Sequence, residues 1–220
     1  MREVLAAVPG WSRRDVPFGL ATVVASTAGP VPAPGHPKAL VELDGEPLVR
    51  RAVRLLRAGG CTPVHVVVGA DADLLPELPG AVLLVNRRWR EGLGGSLRCG
   101  LASLPGHVGA AVVVLVDQPA LEPVAVRRVC AAHAAGAPVA VASYAGQIGH
   151  PVLLSRVIWP LLTPYATGDR GARDFLRARA DLVTRVPCDD AGSPADLDTP
   201  ADLARHRTAR RTRRDVEAGR

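Results

Sequence analysis

Aromatic residues make up only 3% of the chain. That scarcity excludes the stacking platforms on which single-stranded nucleic acid is usually held. Cysteine is sparse and scattered: Cys61, Cys99, Cys130 and Cys188 form no Cys-x-x-Cys pair. The spacing fits neither a zinc site nor a secreted disulfide framework, but it suits small hydrophobes in a reducing cytoplasm. No apolar run approaches the roughly 18 residues of a membrane span. Residues 108–116 are apolar but far shorter, and they read as a buried strand. The apolar patch at residues 4–8 is too short for the core of a signal peptide. Lysine is almost missing: Lys38 stands alone against twenty-six arginines.

What is present is a large apolar fraction, 48%, enough for a sizeable core of Val, Leu and Ala. The formal charge of +6 is unevenly spread, because residues 205–220 carry seven Arg against Asp215 and Glu217 and so hold +5 of it. The body is close to neutral, and a basic terminal run of this kind is ordinarily a solvated tail. No specific nucleic-acid partner and no membrane partner is expected. The composition divides the chain into an N-terminal extension at 1–18, one domain at 19–206 and a basic, disordered tail at 207–220.

Along the domain, apolar segments alternate with amphipathic ones. Strands are expected at 20–25, 64–68, 82–85, 111–116, 138–142, 151–154 and 182–186. Helices are expected at 47–58, 95–104, 124–135 and near 170–180, with a short one starting at Thr199-Pro200. The helix at 47–58 places Leu48, Ala52, Leu55 and Leu56 on one face and stops at Gly59-Gly60. Such alternation predicts an α/β protein, a Rossmann-like three-layer α/β/α domain around a mostly parallel sheet. In these sheets ligands bind at the carboxyl ends of the strands.

Four strand-end loops carry unusual residues. Lys38 follows a Gly- and Pro-rich loop, where a compact point charge suits phosphate oxygens; it is also what chance leaves on a surface. Asp117 ends the wholly apolar strand, before Gln118-Pro119. It reads either as a Mg²⁺ ligand or as the N-cap of the next helix. Asp196 and Asp198 alternate, so an extended backbone points both the same way; one completes a metal site, or Asp198 caps the terminal helix. Gly92 to Ser96 lets backbone approach a base or phosphate, and Ser96 fits a helix cap.

Taken in order, these strings resemble the MobA-like NTP transferase family, the molybdenum-cofactor cytidylyl- and guanylyltransferases. The family's first loop reads Leu-Ala-Ala-Gly-x-Ser/Gly-x-Arg-Met-Gly-x-Pro-Lys, and Ala28-Gly29, Gly35 and Pro37-Lys38 match it in spacing. Gly45-Glu46-Pro47-Leu48, the Asn86…Trp89…Gly92…Ser96-Leu97 segment and Asp117-Gln118-Pro119 follow. Gly149-His150-Pro151-Val152 and Gly168-Asp169-Arg170-Gly171-Ala172-Arg173 are similar to the cytidylyltransferase branch. Asp196-Leu197-Asp198-Thr199-Pro200 closes the set.

The resemblance implies a nucleotidyltransferase fold of the GT-A-like type. It implies Mg²⁺-dependent transfer of a nucleoside monophosphate, CMP from CTP or else GMP from GTP, onto a phosphorylated small molecule such as molybdopterin. On that basis Lys38 and Asp117 are catalytic, and Asp117, Asp198 and Asp196 hold the metal. Ala28, Gly29, Gly35, Lys38, Asn86, Gly92 and Ser96 bind the nucleotide, while His150, Asp169 and Arg173 face the acceptor. His150 also fits a simple turn before Pro151. The chain departs from the family in its first loop: Ala33 stands at the arginine position and Val31 at the small one. Pro30, Pro32 and Pro34 remove backbone donors. A family member weakened into a nucleotide- or pterin-binding accessory protein is therefore the alternative. A redox role is a third reading, without a dinucleotide fingerprint to carry it.

Overall fold

Successive residues of the central strands face opposite sides, and each side builds its own apolar core. The computed structural model describes residues 38–69 and 72–208, and the backbone of 20–22. Strand β1 (Leu20–Thr22) precedes a small hairpin of β2 (Glu42–Leu43) and β3 (Glu46–Pro47). Next come α1 (Leu48–Ala58), β4 (Val64–Val68), β5 (Ala81–Val85), α2 (Leu93–Ser103) and β6 (Ala110–Val113). Then follow α3 (Pro123–Ala134), β7 (Val139–Tyr144), β8 (Gln147–Ser155), α4 (Trp159–Leu162), α5 (Arg173–Ala178) and β9 (Val183–Pro187). A last helix, α6, spans residues 200–208.

Strands β1, β4 and β5 pair in parallel with β4 in the middle. Strands β6, β8, β7 and β9 form a second group in that order, with β1 lying beside β6. On one side, Val112, Ala140 and Leu153 pack with Leu48, Val53 and Leu56 of α1 and Val126 and Val129 of α3. On the other, Ala111, Val113, Val141 and Leu154 pack with Leu97 and Leu101 of α2, Leu162 of α4 and Phe175 of α5. The result is the three-layer α/β/α arrangement expected from the sequence.

Helix α1 owes its place to Leu48, Val49, Ala52, Val53 and Leu56, all buried, while Arg50, Arg54 and Arg57 face outward. It ends in a Schellman pair: the N–H of Gly60 donates to Arg57 O and that of Cys61 to Leu56 O.

Several expectations are corrected. The apolar strand expected at 111–116 leaves the ladder at Val113, because its last paired residue on β8 is Val152. Residues 114–116 continue toward Asp117 outside the sheet. The strands expected at 138–142 and 151–154 belong to one long hairpin, so β8 runs antiparallel to both β6 and β7. Its turn is Ala145-Gly146, with φ of 47° and 78°. The helix expected at 170–180 is shorter and is flanked by 3-10 turns at Gly168–Arg170 and Ala180–Leu182. Among the described residues, no helix is long and apolar enough to cross a membrane.

Candidate functional site

Three segments distant in sequence meet at the solitary lysine. Lys38 opens a 3-10 turn (Lys38–Leu40) and is buried, 7% exposed. Its Nζ donates to Asp117 Oδ2 at 2.9 Å and to Asp198 Oδ1 at 2.5 Å. Burial opposes the charge on Lys38, but the hydrogen bonds to Asp198 and Asp117 outweigh it and hold the ammonium above its ordinary pKa. A surface lysine left by chance has neither the burial nor two carboxylate partners.

The two carboxylates are placed by backbone rather than by their own side chains. Leu197 N–H donates to Asp117 O at 2.8 Å, and Ser193 N–H to Ala120 O at 3.2 Å. Leu121 and Gly192 form an antiparallel bridge in the same strip. These contacts zip residues 117–122 against 191–197. Neither aspartate is a helix cap. Helix α3 begins at Pro123 with Glu122 as its N-cap residue, which removes Asp117 from that role. Helix α6 is capped by a box in which Thr199 Oγ1 accepts from Asp202 N–H at 3.2 Å. Asp202 Oδ2 in turn accepts from Thr199 N–H at 2.7 Å and from Asp198 N–H at 3.2 Å. The Asp198 carboxylate is thereby left for Lys38.

Asp196 lies in the same electrostatic neighbourhood but turns elsewhere: its Oδ1 accepts from Gln118 Nε2 at 2.8 Å. Burial, reinforced by the charges of Asp117 and Asp198, raises its carboxyl above the usual range despite that hydrogen bond. Among the described residues, no cluster of three or more metal-ligating side chains forms. A divalent cation would therefore rest on Asp117 and Asp198, with water and phosphate completing its shell, as suits magnesium. Asp117 fits such a cation, since its buried Oδ1 has no hydrogen-bond partner among the described residues.

His150 lies within the electrostatic reach of both Asp117 and Arg173. Burial pushes its imidazole down to about 4, with Asp117 acting upward and Arg173 downward. Its carbonyl accepts from Tyr144 Oη at 3.0 Å. Arg173, at the start of α5, and Asp169 are both exposed.

The glycine loop is more structural than its sequence suggests. Asn86 is buried, donates from Nδ2 to Ser96 Oγ at 3.1 Å, and accepts Arg88 N–H at 3.0 Å. Ser96 lies inside α2, which begins at Leu93, so it does not cap that helix. Gly92 has a φ of 98°, and a Cβ there would meet Asp169 Oδ1 at 2.6 Å. A Cβ on Gly94 would strike the backbone of Ala166 and Thr167. Small residues thus let the 92–94 loop seat against the 166–169 loop, a contact between two loops read separately in the sequence. Gln118 was legible there only as part of a string; its bond to Asp196 had no local signal. Ala28, Gly29 and Gly35, with Ala33 and the prolines, lie outside the described residues.

Charged residues at the carboxyl edge of a mostly parallel α/β/α sheet define a class, the α/β domains that take a ligand at their strand ends. Comparison with known proteins narrows it. Residues 31–183 match the MobA-like NTP transferase domain. Over 203 residues the chain is 32% identical to nicotine blue oxidoreductase of Paenarthrobacter nicotinovorans, an alignment spanning 87% of this chain and 97% of the relative. The crystal structure of Rv0371c from Mycobacterium tuberculosis is 25% identical with a TM-score of 0.76, covering 88% of this chain and all of that one. A manganese complex of Rv0371c matches at 24% identity and a TM-score of 0.67, covering 86% and 95% of the two chains. The chain belongs to the MobA-like NTP transferase family.

Proposed function

We propose that the protein transfers a nucleoside monophosphate from a nucleoside triphosphate, CTP in preference to GTP, to a phosphorylated small molecule of the molybdopterin kind. An acceptor phosphate oxygen attacks the α-phosphorus, the α–β anhydride bond breaks and pyrophosphate leaves. The observation that carries this reading is the junction of Lys38 with Asp117 and Asp198 at the strand ends. In it, Lys38 neutralises triphosphate oxygens, and the backbone of Ala28, Gly29 and Gly35 cradles them. Asn86, Gly92 and Ser96 shape the nucleotide side, while His150, Asp169 and Arg173 face the acceptor. Asp117 and Asp198, with Asp196 beside them, would hold Mg²⁺; the manganese complex of a relative supports a divalent ion in this fold. When bound, that ion stabilises charge on the reacting phosphates. The remaining catalysis is positioning and fixed charge in a partly dry site. The scattered cysteines suit a reducing compartment, which supports a cytoplasmic location.

The test is calorimetric titration with CTP, GTP and ATP, with and without Mg²⁺. Mg²⁺-dependent binding, tightest for CTP, is expected. If none binds at millimolar concentration, the proposal fails. Binding of CTP without pyrophosphate release on offering molybdopterin would instead fit the accessory role.

A second reading rests on the relative named nicotine blue oxidoreductase. In it the same fold holds a small aromatic molecule for reduction by a hydride donor. Its measure is consumption of reduced nicotinamide nucleotide in the presence of nicotine blue. Turnover there, with no response to CTP, favours this second reading.

A further inference from the structure

Beside the Lys38 cluster, α1, α6 and the zipped 117–122 and 191–197 strip border an open cavity of about 630 Å³. Its lining includes Ala52 and Leu55 from α1, and Leu121 and Leu197 from the strip. Gln118 and Asp196 also line it, whereas Lys38, Asp117 and Asp198 do not. The volume lies in the range of small-molecule sites, roughly 300–1,000 Å³.

Gln118 supplies the polar signal. It is 7% exposed. Its Nε2 faces two groups that only accept, Pro194 O at 3.1 Å and Asp196 Oδ1 at 2.8 Å. That pairing fixes the amide orientation and turns Oε1 the other way. Oε1 is buried and has no partner among the described residues. A buried acceptor left unpaired is costly, about 1–3 kcal/mol, and calls for a donor. The cations on the rim do not make this an anion site. Arg51 and Arg54 pair with Glu46 at 3.3 and 2.7 Å, and Arg205 pairs with Asp202.

We propose that this cavity binds a flat, mostly apolar small molecule bearing an N–H donor, its ring against Ala52, Leu55 and Leu121 and its N–H on Gln118 Oε1. The site adjoins the proposed metal site, with Asp196 on the wall between them, and it is linked to the Lys38 cluster through the Gln118–Asp196 bond. Occupancy therefore acts on the segment that carries Asp198.

The probes are indole and benzofuran, near-identical in shape, the second lacking the N–H. Each is titrated into the full chain by heteronuclear NMR, without nucleotide or metal. Indole is expected to bind about tenfold more tightly, the value of one hydrogen bond to a buried acceptor. Gln118→Met should erase that preference. Leu55→Trp, which fills the cavity from α1, should weaken indole binding at least tenfold, and Ala52→Leu serves the same end if Leu55→Trp fails to fold. Equal binding of the two probes, no indole binding up to its solubility limit, or unchanged indole binding in the filled variant overturns the proposal. These outcomes are independent of CTP titration, so failure here leaves nucleotidyl transfer untouched, and the converse holds.

Discussion

Lys38 occupies the position between two carboxylates where a divalent cation would also be drawn. In the nucleotide-free protein the two therefore compete, and Lys38→Ala should raise the affinity for Mn²⁺ measured by electron paramagnetic resonance. A fall in affinity would show that Lys38 does not hold the carboxylates against the ion. The same substitution leaves Asp117 and Asp198 facing each other, and about 1–3 kcal/mol of stability should be lost; the estimate sits below that for a fully buried pair because Asp198 is well exposed. The sign of the pH dependence follows from the raised ammonium. Its contribution is complete below the ordinary lysine value and disappears as pH climbs through the higher folded value.

His150 behaves oppositely. The unfolded chain takes up a proton near the ordinary histidine value of about 6.5, while the folded chain resists until about 4. Stability should fall as pH drops across that window, by at most about 3 kcal/mol, and then level off. His150→Gln should remove this component. Parallel stability-versus-pH curves for the two proteins would contradict the assignment. The lysine's importance was legible from its rarity and spacing. The pairing of Asp198 with it was not, because the Thr199–Asp202 capping box that frees Asp198 depends on helix geometry.

Among the secondary-structure elements, the β7–β8 hairpin shows where the sequence is hardest to read. Its turn uses Ala145 at a φ of 47°, a position usually marked by Asn, Asp or Gly. Without that mark, Tyr144 to Gln147 gives no hairpin signal, and the two strands read as separate. The same observation gives a prediction. Ala145→Gly relieves the left-handed strain and should stabilise the protein by about 1 kcal/mol in urea unfolding. A loss of stability would place the turn in another conformation. By contrast α1 and α3 were legible almost to the residue. Their ends carry strong local signals, Gly59-Gly60 for α1 and Gly136 for α3, whose N–H donates to His133 O at 2.8 Å.

Across the whole molecule, the layered sheet was readable because β6, most of β7 and the second half of β8 are apolar on both sides, as strands of a doubly covered sheet are. What the sequence left hidden is the strip joining residues 117–122 to 191–197. Those segments are more than sixty residues apart, and their contacts run largely through backbone. The strip brings the acidic ends of two loops together and simultaneously builds the wall of the α1 cavity. The geometry of the Lys38 cluster thus depends on a tertiary zipper rather than on any one motif.

The decisive observation is the binding of Mn²⁺ with CTP to the wild-type protein and to Asp117→Asn, followed by electron paramagnetic resonance. If Asp117 and Asp198 hold the metal against the triphosphate, the neutral amide should weaken formation of the ternary complex at least tenfold, about 1.4 kcal/mol. Equal binding by the two proteins would contradict a metal–triphosphate site at this junction.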